Sequence, residues 1–323
     1  MAKKKLKKIG VLFGGKSAEH EVSINSARNI INALDKSKYK ITPIKINRDG
    51  KFKFDIIKNF DVIFPVLHGP FGEDGSIQGL LKLAGVPYVG AGVLGSAVGM
   101  DKDVMKRLLR DANIPIGKFI ALKDGEKVSF KDAKKTLGLP LFIKPANMGS
   151  SVGVSKVRNE KEFKKAVAEA FKFDSKILVE EFIDGREVEC AVLGNEIPMA
   201  SIPGEIIANQ EFYSYNAKYI DDGYVIEIPV KVNKKISKKI QELAVKVFQT
   251  LNCEGMGRVD FFVKKNNTVL VNEINTIPGF TNISMYPKLW EASGISQTKL
   301  LDKLIELAIE RFKKQNKLKA TVN

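Results

Sequence analysis

With 323 residues, 44% of them apolar and 28% charged, the chain has the make-up of a soluble globular protein of two or three domains. No apolar run reaches the roughly 18 residues of a membrane span, and the basic start Met1–Lys8 leads only into the short stretch Ile9–Phe13, so neither a membrane protein nor a secretory signal is expected. The net charge of +16 invites a nucleic-acid reading, but ten positive charges sit in two acid-free ends: Lys3, Lys4, Lys5, Lys7, Lys8, Arg311, Lys313, Lys314, Lys317 and Lys319. Such ends are expected to fray into solvent, and no nucleic-acid partner is expected.

In chain order, residues 8–13 read as an apolar strand ended by Gly14-Gly15, followed by a helix from about Val22 to Leu34. Strands at 40–46 and 61–67 complete the βαβ rhythm of a parallel sheet. A helix over 75–84 stops at Gly85, and the first domain is expected to end near residue 95. A second unit has helices at 101–112, 129–137 and 159–172, with strands at 117–122, 140–144 and 152–157. The third has strands at 176–182 and 187–193, a polar loop over 203–223, a helix at 234–251, strands at 257–263 and 268–274, and a last helix at 296–314. Cys190 and Cys253 match no metal spacing and suit packing in a reducing compartment. His20 and His68 cannot by themselves build a zinc site.

The most informative stretch is GRVDFFVKKNNTVLVNEIN, residues 257–275. Two apolar strands flank Asn266-Asn267, a pair suited to a two-residue turn. Such a turn sets Asp260 opposite Glu273 and Arg258 opposite Asn275, all on one face. Opposed carboxylates repel, and a divalent cation between them removes that cost. Oxygen-only ligands favour Mg²⁺ or Mn²⁺. A solvent-facing amphipathic hairpin fits the same pattern, but TIPGFTNIS (276–284) follows with a turn whose N–H groups could meet a developing oxyanion.

Three further stretches could carry chemistry. In IKPANMGSSVGV (143–154), Lys144 and a loop of small residues could hold phosphates, although a plain tight turn fits as well. It does not match a Walker loop. In ILVEEFIDGREVEC (177–190) a strand edge could meet an adenine and a carboxylate the ribose; acids on an exposed edge strand would look alike. GGKSAEHEVS (14–23) and LHGPFGEDGSIQG (67–79) follow apolar strands, where open α/β sheets place ligands. Glu19 could take an ammonium group and His68 could orient a carboxylate, or His68 could be purely structural.

Taken together, these stretches resemble the D-alanine–D-alanine ligase family of the ATP-grasp superfamily, from about Ile9 to Ala308, and HGPFGEDGSIQG with GRVDFFV…NEINTIPGF are its most specific segments. The resemblance implies an α/β ATP-grasp fold of three α/β domains, here 1–95, 96–183 and 184–323, with ATP between the central and C-terminal ones. It implies ligation of two D-alanines through an acyl phosphate for peptidoglycan precursor synthesis, a homodimer and a cytoplasmic location. Carried over by motif, Glu19 holds the first substrate's ammonium group and His68 sits near its carboxylate. Lys102, Lys144 and the backbone of Ser151 hold phosphates. Glu181, Phe182 and Ile183 meet adenine, with Glu187 on the ribose and Glu180 nearby. Asp260, Glu273 and Asn275 hold two Mg²⁺ or Mn²⁺ ions, while Arg258 and the Gly279 N–H stabilise the oxyanion. Ser284 and Met285 bind the second D-alanine. Ser150, Tyr219 and Glu19 form a hydrogen-bonded set, and Lys218-Tyr219 lie in a lid from which Lys218 reaches the nucleotide and whose chemistry favours an amine over D-lactate. D-lactate or D-serine as second substrate is the nearest alternative.

Overall fold

The computed structural model describes residues 6–208 and 224–319. Three sheets organise it. The first is parallel, with β1 (Lys7–Gly14) between β2 (Tyr39–Ile46) and β3 (Val62–Val66). Ile9, Val11, Val62 and Phe64 are fully buried, as expected for strands covered on both faces. Helices α1 (His20–Ala33) and α2 (Ser76–Leu83) flank this sheet, and a 3-10 helix (Phe54–Asn59) precedes β3.

A helix not expected from the sequence, α3 (Val93–Met100), follows, so the expected boundary at residue 95 falls inside it. Asp101 then caps α4 (Lys102–Asp111) by accepting the N–H groups of Asp103 and Val104. The second sheet is antiparallel, in the order β4 (Phe119–Lys123), β7 (Lys176–Glu181), β5 (Leu141–Pro145), β6 (Ser155–Val157). Helices α5 (Phe130–Leu137) and α6 (Glu160–Ala170) cover one face, their N-termini capped by Ser129 and Asn159. The strand expected over 152–157 is reduced to β6, because Ser151 and Gly153 turn the chain with positive φ.

The third sheet runs β11 (Tyr224–Glu227), β10 (Gly204–Ala208), β8 (Gly185–Gly194), β12 (Gly255–Lys264), β13 (Val269–Asn275), with the short β9 (Met199–Ala200) paired to β8. The polar loop expected over 203–223 therefore opens with a strand. Helix α7 (Lys234–Thr250) covers one face of this sheet; α8 (Met285–Ala292) and α9 (Gln297–Gln315) complete the chain. One core joins Ile9, Val11 and Phe64 of the first sheet to Trp290, Leu300, Leu304 and Ile305 of α8 and α9. Arg311 lies on that buried face and not in a frayed tail. It is 5% exposed, stacks 4.4 Å from the Tyr88 ring centroid, and donates to the carbonyls of Tyr88 and Gly90.

Candidate active site

The hairpin of β12 and β13 brings the expected quartet together, but by a different route. Its loop has three residues between Lys264 and Thr268, with Asn267 at φ 63°. That extra loop residue shifts the pairing by one, and a bulge at Asn272 shifts it back. Arg258 thus faces Asn275 and Asp260 faces Glu273, as the sequence predicts. Arg258 grips Asp260 with Nε and Nη2 at 2.7 and 2.8 Å, and Asn275 Nδ2 donates to Asp260 at 3.0 Å. Glu189 of β8, which sequence reasoning missed, stands opposite Asp260 on the other side. Burial works against the Arg258 charge, but Asp260 and Glu189 outweigh it and hold its pKa above the ordinary arginine value.

A cavity of about 270 Å³ opens between the second and third sheets, lined by Lys102, Lys144, Ser151, Glu180, Glu181, Phe182, Ile183 and Glu187 among others. Lys144 Nζ lies 2.8 Å from Glu180, and Lys106, also missed from the sequence, lies 3.2 Å from its other oxygen. Burial opposes the charge on Glu180, yet these two lysines keep its pKa below the usual carboxylate value. Lys102 Nζ donates to the Met148 carbonyl at 2.7 Å and stands 3.6 Å from Glu273. The chain leaves β7 after Glu181 and enters β8 at Gly185, so residues 182–184 lie outside the strand ladder at the cavity rim. Phe182 stacks on Phe142 with ring centroids 6.2 Å apart, and Lys156 Nζ sits 4.6 Å from its ring.

A second cavity, of about 110 Å³, holds Glu19, His68, Ser150, Arg258, Gly279, Ser284 and Met285 in its wall. Ser150 donates to Glu19 through a short hydrogen bond that joins the first and second units. The loop closes this far over Glu19 because Gly149 has no side chain: a Cβ there would stand 2.8 Å from Glu19 Oε2. His68 Nδ1 faces the Ile277 carbonyl at 3.0 Å and must carry the ring proton, which leaves buried Nε2 as an acceptor with no hydrogen-bond partner among the described residues. Burial lowers the His68 pKa, so the ring is neutral. In this state Nε2 offers a lone pair to the cavity.

The turn after β13 is braced by the first unit. Glu73 accepts the Ile277 N–H at 3.2 Å, while Ser26 and Asn29 of α1 hold the Phe280 N–H and carbonyl at 3.2 and 2.6 Å. None of these three was legible as a site residue. The expected polar loop ends at Ser284, the N-cap of α8; no side chain among the described residues caps that helix. Pro287 falls in its first turn, where no N–H is needed. Lys218 and Tyr219 lie outside the described residues. Among those described, no three His, Cys, Asp or Glu side chains gather as a ready metal site, and no helix is long and apolar enough to cross a membrane.

Comparison with known proteins matches this arrangement. The D-ala D-ala ligase N-terminus model matches residues 8–58 and 53–91, and the D-ala D-ala ligase C-terminus model matches 108–306. The chain is 49% identical to the D-alanine–D-alanine ligase of Oceanobacillus iheyensis, over 98% of each chain. Among solved structures it resembles the D-alanine–D-alanine ligase of Coxiella burnetii with a TM-score of 0.88 and 42% identity, over 97% of each chain. The VanG D-Ala:D-Ser ligase of Enterococcus faecalis gives 0.85 and 37%, over 94% of this chain and 100% of that one. The Bacillus anthracis D-alanine–D-alanine ligase complexed with ATP gives 0.83 and 33%, over 96% and 99%. Matches to both parts of the family model, with relatives this similar along the whole chain, make it a member of the D-alanine–D-alanine ligase family.

Proposed function

We propose that the chain joins two D-alanines into D-alanyl-D-alanine, with ATP as phosphoryl donor and an acyl phosphate as intermediate. The observation that carries this reading is the shared wall of the two cavities: Gly149, Ser150 and Glu273 line both. A nucleotide in the larger cavity would present its terminal phosphate where the smaller one holds a carboxylate. Lys102, Lys144 and the Ser151 backbone would hold the phosphates. The edge at Glu181–Ile183 would meet adenine, with Glu180 nearby and Glu187 on the ribose; the ATP complex of the Bacillus anthracis relative supports ATP as the nucleotide.

In the smaller cavity Glu19 would take the first D-alanine's ammonium group, and His68 Nε2 would accept another of its N–H bonds. Arg258 and the Gly279 N–H would stabilise the oxyanion of the tetrahedral intermediate. The uncapped start of α8 at Ser284 and Met285 would receive the second D-alanine's carboxylate. Ser150, already bonded to Glu19, would relay the attacking amine's proton together with Tyr219, and closure of the loop bearing Lys218 would exclude water. Asp260, Glu273 and Asn275 would bind Mg²⁺ or Mn²⁺, as two ions, which would neutralise phosphate charge. The donor set fits: two carboxylates and an amide are hard oxygen ligands, and Asp260 and Glu273 both line a cavity of about 50 Å³.

The same reading divides the chain into three units, with the first boundary at the α3–α4 joint and the second within residues 182–184. It also carries a homodimer, a cytoplasmic location and a role in peptidoglycan precursor synthesis, all supported by family membership. The test is phosphate release from ATP and Mg²⁺ with D-alanine, L-alanine or no amino acid, with products read by mass spectrometry. The expected result is release that requires D-alanine and matches dipeptide one for one. Release without dipeptide, or only a mixed product when D-serine or D-lactate is added, would overturn the D-alanyl-D-alanine assignment; the D-Ala:D-Ser relative makes D-serine the first rival.

A further inference from the structure

Arg258 Nε carries one proton, yet two carboxylate oxygens stand close to it: Asp260 Oδ1 at 2.7 Å and Glu189 Oε2 at 2.8 Å. The proton goes to Asp260, which also takes the Nη2 hydrogen bond. Glu189 meets the same nitrogen through charge alone. The backbone fixes this crowding. Glu189 on β8 is opposite Asp260 on β12, and Asp260 is opposite Glu273 on β13, so three carboxylates form one cross-strand row. Glu189 is only 6% exposed, in a strand with pairing on both sides. The cavity of about 50 Å³ bounded by Glu187, Glu189, Asp260, Asn272 and Glu273 gives the Asp260 carboxylate room to turn.

We infer that Glu189 is a positioning residue that takes over the Arg258 guanidinium when Asp260 turns to a divalent cation. This rests on the functional reading above. One carboxylate cannot serve a bidentate arginine and a cation equally well. Were Asp260 the only partner, the cation would have to strip a buried guanidinium of its counter-charge, a costly step. With Glu189 already 2.8 Å from Nε, a small re-aiming of the guanidinium is enough to pass the N–H from one acceptor to the other. The guanidinium stays charged and in the wall of the smaller cavity. Glu273, another acid whose charge Arg258 feels, cannot do this, because in the functional reading it faces the cation too.

The test uses the full chain with ADP. Mn²⁺ is titrated into wild type and Glu189→Gln, and free Mn²⁺ is read by electron paramagnetic resonance. The variant is expected to bind Mn²⁺ about tenfold more weakly, the size of one charge-assisted hydrogen bond, with metal-free ADP affinity unchanged. A crystal structure of wild type with ADP and Mg²⁺ is expected to show Arg258 Nε bonded to Glu189 and released by Asp260. Folded Glu189→Gln with Mn²⁺ affinity within about twofold of wild type would overturn the handover, as would a metal-bound structure in which Arg258 still holds Asp260 through both nitrogens. If the variant does not fold, the wild-type structure decides. If wild type with ADP binds no Mn²⁺, the metal assignment itself falls and takes this inference with it; if Mn²⁺ binds and Glu189→Gln changes nothing, only this inference falls.

Discussion

His68 can be tested one nitrogen at a time. The amide of His68→Asn reaches the Nδ1 position and can keep donating to the Ile277 carbonyl, now at 3.0 Å, but it offers nothing at Nε2. His68→Gln does the reverse. Since Nε2 is buried without a hydrogen-bond partner among the described residues, an ammonium group placed there gains a charge-assisted hydrogen bond of about 1.5–3 kcal/mol. Losing it corresponds to about 10- to 160-fold in kcat/KM. His68→Asn should therefore lose that factor for the first D-alanine while keeping its fold. His68→Gln should keep most of the rate and lose about 1 kcal/mol of stability, one neutral hydrogen bond. Initial rates of phosphate release against D-alanine concentration, paired with urea unfolding, measure both. A near-normal His68→Asn beside a crippled His68→Gln would refute the acceptor role. The pH dependence has a fixed sign. Burial holds the His68 pKa below the ordinary value of about 6.5, so below that pH the unfolded chain takes up a proton the folded chain refuses. This group makes the fold less stable as pH falls.

Glu273→Gln should lower turnover at least about 10²-fold, and a near-normal rate in the phosphate assay would remove Glu273 from the metal site. Arg311→Met leaves the Tyr88 and Gly90 carbonyls without their donor and Glu254 without its partner 3.5 Å away; a loss of about 3–5 kcal/mol is expected in urea unfolding, and a loss below about 1 kcal/mol would return Arg311 to the solvent-exposed tail. Burial and the nearby Glu19 charge push Glu73 up to about 8. The folded chain thus keeps a proton that the unfolded chain releases near 4.5, and stability drains away as pH rises between those values. Glu73→Gln should flatten that slope, and an unchanged slope would show that Glu73 titrates normally.

The sequence disclosed the hairpin's chemistry better than its geometry. A two-residue turn was expected where three residues stand, and the Asn272 bulge cancels the shift just before Glu273. The pairing of acids matches the expectation because these two departures cancel. Glu189 was invisible for a different reason. Its strand pairs with β12 across 71 positions of sequence, from Glu189 to Asp260, and no local spacing sets that register. Helix α3 (VLGSAVGM) hid behind two glycines and the absence of charges, and α8 behind Pro287. Arg311 was legible and misread: it continues the buried series Leu300, Leu304, Ala308 at helical spacing, which outranks the neighbouring lysines as a guide to its place.

The turn after β13 takes its shape from residues more than 200 positions earlier: Ser26, Asn29, His68 and Glu73 hold the peptides of Ile277 and Phe280. During synthesis those four emerge long before their partners exist. A chain caught with its central and last sheets formed, but its first unit undocked, would still have the larger cavity, since that cavity is built by residues 102–273 alone. It would lack Glu19, Val22, His68 and Glu73 from the wall of the smaller one. Such a chain would keep the cavity proposed for the nucleotide and lack the residues proposed to hold the first D-alanine, so the proposed transfer waits on docking of the first unit.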